Sequence, residues 1–269
     1  MKQVKPEQGP ERKSENTAPS ALFRHVEHLH AGRDWGAFLD AGTGVNSSLW
    51  GMSLPTSRWC AVTGSRAHAA QVRKVVGDRL RPQDRLIVGN WLDPELLTDE
   101  RFDTVLADYL VGAIEGFSPY FQSQLFRRLR PLCRGMLYVI GLDPYVVGPA
   151  RTPAERMVRE VGRLRDACLI LADETPYREY PLEWAVNALT DAGFRITSAR
   201  RFANRYREKW VHGQLDMGLR RLAKVTDRAL ATALEDRIGE TRTHGVALCR
   251  AEGGLACGSD YVVACEIVP

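Results

Sequence analysis

Lysine is scarce in this chain. Only six of its 37 basic residues are lysines, at positions 2, 5, 13, 74, 209 and 224, and the other 31 are arginines, a skew better matched to a GC-rich bacterial genome than to phosphate recognition. With 33 acidic residues the net charge is only +4, which excludes the single-signed surface of a dedicated nucleic-acid binder. Long apolar runs are missing too. Met136 to Ile140 and Tyr261 to Ala264 are strand-sized, far short of the roughly 18 residues of a membrane helix, so no membrane partner is expected. Six scattered cysteines (60, 133, 168, 249, 257 and 265) contain no Cys-x-x-Cys, and a reducing cytoplasm fits them. Residues 1–20 have no apolar leader core and carry Pro6, Pro10 and Pro19, so they read as a flexible tail. What remains is ample: 269 residues, 44% hydrophobic and 26% charged, enough for one large domain with a full core, here residues 21–269.

Ala21 to His30 has helical spacing, with Leu22, Val26 and Leu29 on one face. Short apolar stretches then alternate with longer amphipathic ones: 37–41, 59–62, 86–88, 104–107 and 136–140 read as strands, and 65–80, 119–132 and 152–171 as helices. Strands without a polar face are buried on both sides, the signature of a parallel sheet between helices. A helix over 181–192 closed by Gly193, a strand over 194–202, one long or broken helix over 214–240 and a strand over 261–268 complete the order. The segments 142–180 and 203–258 exceed minimal connections and are long enough to form a lid over a pocket.

The most informative segment is Phe38-Leu39-Asp40-Ala41-Gly42-Thr43-Gly44-Val45-Asn46-Ser47. A buried strand runs into two glycines that allow a tight turn and close approach of a ligand to backbone amides at a helix start. A dinucleotide fingerprint would need a third glycine at 47 and an acid about 20 residues later. Ser47 and Thr63 fail it. An ordinary strand-to-helix turn is the alternative.

The Asp-Ala-Gly-Thr-Gly run, with seven strands around it, resembles the class I S-adenosylmethionine-dependent methyltransferases. The resemblance implies an α/β, Rossmann-like, seven-stranded and mostly parallel sheet with helices on both faces and an antiparallel last strand. It implies S-adenosylmethionine as cofactor, with Asp40, Gly42 and Gly44 at its methionine part. Val88-Gly89-Asn90-Trp91 is similar to the adenine-binding turn, which makes Asn90 and Trp91 contacts of the base. Phe102 to Tyr109 resembles the fourth strand, whose end, with Asp108, faces the reacting methyl group, and Gly135 to Ile140 resembles the fifth. Two positions depart from the pattern: Asn46 where a glycine is common, and Thr63 where an acid usually holds the ribose. A threonine hydroxyl can bond one ribose oxygen without a carboxylate's bidentate acceptance.

Methyl transfer is a direct displacement, so the protein's main task is alignment, and a base is needed only when the nucleophile carries a proton. Asp108 and Tyr109 are the candidate catalytic residues, with strand-end capping as the alternative. They are not the Asn/Asp-Pro-Pro-Tyr of enzymes that methylate exocyclic base amines. Tyr177, Arg178 and Tyr206 are candidate acceptor-binding residues on segments able to cover the site, expected to share one cavity with Asp108 and Tyr109; the alternative is surface loops. His25, His28 and His30 lack the cysteine or carboxylate spacing of a zinc set, so no metal is expected. His212 is a candidate base or a surface histidine. Arg156, Arg159 and Arg163, interleaved with acids, read as a solvated helix face.

These features point to a methyltransferase for a small-molecule acceptor, in bacterial specialised metabolism, without a nucleic-acid partner. RNA or protein methylation, and a degenerate fold kept as a binding or scaffold subunit, are the alternatives. Oligomeric state is left open, a homodimer included.

Overall fold

A computed structural model describes residues 19–268, so of the expected tail only Pro19 and Ser20 fall among the described residues. Helix α1 (Ala21–His30) starts where the Ser20 hydroxyl accepts the Phe23 amide at 3.3 Å. It packs inward through Phe23, stacked on Trp50 with ring centroids 4.5 Å apart, and through fully buried Val26. His30 lies against Trp35 and shares a 3.0 Å hydrogen bond with the Tyr138 hydroxyl, so it is a core residue.

Strands β1 (Ala37–Asp40), β2 (Arg58–Thr63), β3 (Arg85–Val88), β4 (Phe102–Asp108), β5 (Cys133–Leu142), β6 (Phe194–Tyr206) and β7 (Leu255–Ile267) form one sheet in the order β3-β2-β1-β4-β5-β7-β6. All are parallel except β7, which runs antiparallel to both its neighbours. The apolar central strands are buried on both faces, as their unbroken hydrophobicity requires, whereas β3 at the edge is partly exposed.

Two cores sandwich the sheet. Phe38, Trp59, Leu106, Tyr138, Ile140 and Val262 face α1, α2 (Val45–Gly51) and α3 (Arg66–Val76). Leu39, Val105, Leu137 and Val263 face α4 (Leu110–Ala113), α5 (Gln122–Leu129) and α7 (Leu182–Asp191).

The C-terminal third differs from the sequence reading. The long or broken helix expected over 214–240 is a broken one that reaches further at both ends, as α8 (Glu208–Leu219) and α9 (Arg228–Ala251) around a short 3-10 turn at 222–224. Asp227 starts the second helix by accepting the Leu230 amide at 3.0 Å. Strands β6 and β7 also overrun their expected bounds because they pair as far as Tyr206 opposite Leu255. Helices α6 (Pro153–Leu171), α8 and α9 share a separate core that includes Val158, Val161, Cys168, Val211, Leu215 and Ile238. The two long segments thus come together as one helical layer, rooted at the C-terminal ends of β5 and β6 and the start of β7.

Candidate functional site

Strand order reverses between β1 and β4, and the crevice this opens lies beyond their C-terminal ends. The glycine turn sits in that gap and is tied to both neighbouring strands. The Ala41 amide donates to Leu106 O at 2.8 Å, and the Thr43 amide to Val62 O at 2.9 Å. Ser47 Oγ accepts the Gly44 amide at 3.0 Å.

The two glycines do different work. A Cβ on Gly42 would meet Leu110 Cβ at 2.9 Å, so this glycine is required by the protein's own packing. A Cβ on Gly44 would meet nothing within 4 Å, which makes Gly44 the point where another molecule can approach the backbone. Asp40, just before the turn, has no exposed surface, and neither of its carboxylate oxygens has a hydrogen-bond partner. Burial raises its pKa to about 6, opposed by the nearby hydroxyls of Thr43 and Ser47 and the Gly42 amide.

The turn after β3 is built otherwise than expected. Trp91 is buried, and its indole N–H donates to Ala41 O at 2.7 Å. The indole props the glycine turn from within the core and does not offer a face to an adenine. Asn90 is held by internal bonds: its amide nitrogen donates to Phe117 O at 3.0 Å, while its oxygen accepts from Leu92 N and Ser118 Oγ. Thr63 is buried, with its hydroxyl accepting the Ser65 amide at 3.3 Å, and the Phe117 ring closes on the neighbouring Gly64. Asn90, Thr63, Gly64 and Phe117 therefore form one continuous wall on the β2–β3 side of the crevice.

On the other side, β4 ends in Asp108 and Tyr109. Tyr109 adopts the left-handed conformation, φ 49°, while its amide still donates to Ile140 O at 2.8 Å. A bulky residue held there at a strand end stores strain of a kind found at functional sites. Register then brings in a residue that sequence reasoning missed. Asp40 lies opposite Leu106, Asp108 opposite Ile140, Ile140 opposite Val262, and Asp260 opposite Leu142. Because side chains alternate along a strand, Asp40, Asp108 and Asp260 share one face of the sheet at its C-terminal edge. Burial, then the charges of Asp40 and Asp260, raises Asp108 to a pKa of about 8. Asp260 is itself raised by burial, against the Asn204 side chain and the Tyr109 hydroxyl that reach it. The expected terminal strand started at Tyr261, six residues after its observed start at Leu255, and so left out Asp260.

The acceptor candidates separate. Tyr206 belongs to the cluster, with its buried hydroxyl unpartnered and its ring 4.3 Å from Trp210 and 6.1 Å from Tyr145. Tyr177 is 46% exposed and lies along Gly116. The Arg178 amide donates to Gly112 O, and its side chain, 58% exposed, reaches Glu115 at 3.7 Å. The inward residue of that segment is Glu179, packed on Gly112 and raised by burial to about 7. The four-residue spacing of Gly112 and Gly116, matched by two-residue spacing of Tyr177 and Glu179 in an extended segment, is the signal that could have found it. His212 lies apart, on α8, sharing a hydrogen bond with Arg242 of α9.

No family model matches the chain, and no curated protein matches it. Solved structures do. A Bacillus halodurans protein named provisionally as a methyltransferase is 13% identical with a TM-score of 0.59, over 92% of this chain and 99% of that one. The mycolic acid cyclopropane synthase CmaA1, crystallised with SAH and CTAB, is 16% identical with a TM-score of 0.53, over 90% and 81%. The cyclase SpnF is 15% identical with a TM-score of 0.52, over 91% and 80%. This is the fold of the class I methyltransferases. At such identities the likeness establishes the fold, and chemistry must be argued from the site.

Proposed function

We propose that the chain is an S-adenosylmethionine-dependent methyltransferase acting on a small-molecule acceptor. The observation that carries this reading is the pairing of an open approach at Gly44 with the unpartnered, fully buried carboxylate of Asp40 two residues before Gly42. Buried carboxylate oxygens without partners are costly, and a ligand bearing an ammonium or hydroxyls offsets that cost. The amino-acid and ribose parts of S-adenosylmethionine carry such donors, so the residues present fit this cofactor. When bound, it supplies a methyl group on a sulfonium that a nucleophile can displace.

The chain's own residues do the rest. Gly44 leaves room for the cofactor, and Asp40 accepts hydrogen bonds from it. The wall of Thr63, Asn90 and Phe117 bounds the adenine end. Asp108 is poised to take a proton from the acceptor, since a base is most effective when its pKa lies near the working pH. Tyr109 and Tyr206 position the acceptor, and the layer of α6, α8 and α9 limits access of water. Tyr177 and Arg178 belong to the outer rim, with Glu179 inside.

A small acceptor fits this layer better than RNA or protein in an open groove. No described helix is long and apolar enough to cross a membrane. All six cysteines are free, which supports a reducing, cytoplasmic setting, and a role in bacterial biosynthesis is in keeping with both. The likeness to the cyclase SpnF supports a second reading, in which the fold serves chemistry other than methyl transfer. A crystal structure with S-adenosylhomocysteine tests the proposal. Density against Gly44 with a donor on Asp40 is the expected result, and a ligand elsewhere would overturn it. Transfer of labelled methyl from S-adenosylmethionine then separates the two readings.

A further inference from the structure

Beyond Asp40, the sheet edge holds more carboxylate than the cofactor can use. Asp108 Oδ1 is buried without a hydrogen-bond partner, and so is the Tyr206 hydroxyl. The charged groups acting on Asp108 are two further carboxylates, Asp40 and Asp260. The one acting on Asp260 is Asp143, which is already paired with Arg201. No guanidinium or ammonium among the described residues offsets Asp108 or Asp260, although the chain has 37 basic residues to draw on. Tyr109 and Tyr206 are the aromatic residues near Asp260, and Trp210 backs the Tyr206 ring at 4.3 Å. A buried, unpartnered carboxyl oxygen on Asp108, flanked by further acids and by no cation, forms an environment that attracts a cation and repels an anion.

We infer that the acceptor is an amine, held as its ammonium by the carboxylates of Asp108 and Asp260 against the rings of Tyr109 and Tyr206. This rests on the methyltransferase reading and names its substrate class. The balance of the step is simple. The ammonium gives one proton to the Asp108 carboxylate, which frees the nitrogen lone pair. That pair forms the new N–C bond to the methyl carbon, while the electrons of the breaking C–S bond stay on sulfur, leaving a thioether. The methylated product is again an ammonium, balanced by Asp260, and Asp108 returns its proton to water. Burial and the neighbouring acids suit Asp108 to this exchange, because they raise its proton affinity toward that of an amine.

The test is calorimetry at saturating S-adenosylhomocysteine with three probes of one shape: phenethylamine, phenethyl alcohol and hydrocinnamate. The expected result is binding of the amine about tenfold or more tighter than either isostere. Equal or weaker binding of the amine overturns the inference. Asp260→Asn keeps a partner for Tyr109 and Asn204 and should abolish the preference, and a retained preference would contradict it. Should that variant fail to fold, Asp108→Asn serves. It removes the other charge proposed to hold the ammonium, so amine affinity should fall about tenfold or more while affinity for the alcohol holds; unchanged amine affinity counts against the proposal. The two readings fail separately. S-adenosylhomocysteine binding without an amine preference removes the substrate class alone, and an amine preference without S-adenosylhomocysteine binding removes the methyltransferase reading alone.

Discussion

The glycine turn and the acceptor side lie on one sheet edge, yet they are built in opposite ways. Every backbone strap of the turn is internal: Ala41 to β4, Thr43 to β2, Trp91 beneath, Ser47 across Gly44. The turn is preorganised and leaves only Asp40 without partners. On the acceptor side, groups from β4, β6 and β7 gather with few bonds among them, and buried atoms of Asp108 and Tyr206 stay unpartnered. The difference teaches where each half gets its specificity. The first half is set by its own packing and waits for one ligand, whereas the second is completed by what it binds.

Substitutions on the two sides should therefore read out differently. The largest effect is expected at Asp108→Asn, which should lower kcat by about 10²- to 10⁴-fold if the carboxylate takes the proton. Its S-adenosylhomocysteine affinity should change far less. A loss mainly in cofactor affinity would place Asp108 in the turn's half of the site. Next is Gly42→Val, whose side chain must displace Leu110 and should cost about 1–3 kcal/mol of stability in the free protein, measured by denaturant unfolding. Trp91→Phe follows. Loss of the bond to Ala41 O should destabilise by about 1–3 kcal/mol, with cofactor affinity following stability and not ring stacking. A specific loss of affinity in a stable Trp91→Phe protein would restore the indole to the adenine site.

A further contrast is in pH. Asp40 and Asp108 have pKa values raised from the ordinary 3.8 to about 6 and about 8, so the folded chain holds these protons more tightly than the unfolded one. Their stabilisation is complete below the unfolded value and is lost as pH rises through 6 and then 8. The thermal midpoint of the free protein should fall across that window. Asp40→Asn should flatten the lower part and Asp108→Asn the upper. A midpoint that rises between pH 5 and 8 in every variant would show that other groups dominate.

The same contrast explains what could be read from the chain alone. Strands β1, β2, β4 and β5 are continuous apolar runs, and the glycine turn is contiguous, so local pattern suffices for both. Helix α6 announces itself with Thr152 and Glu155, which form a reciprocal cap. The acceptor side depends on register instead. Asp260 reaches Asp108 only because β7 runs antiparallel beside β5, and no spacing within the sequence encodes that pairing. Trp91 misled for a related reason. An aromatic residue after a polar turn can cover a ligand or fill the core, and only the position of Ala41 O, 50 residues earlier, decides between them. The apolar period over 214–240 allowed a long or a broken helix, and Asp227, which caps the second helix, fixes where the break falls.

The measurement that bears most directly on the account is calorimetric titration of S-adenosylhomocysteine into the wild-type protein and Gly44→Val. Because a Cβ at position 44 meets nothing in the protein, the variant should stay folded, its unfolding temperature lowered only by the loss of glycine at a helix N-cap. Saturable one-site binding to the wild type, weakened by about tenfold or more in Gly44→Val, is the predicted result. No binding to the wild type, or equal affinity in a folded variant, would contradict the placement of the cofactor on the glycine turn.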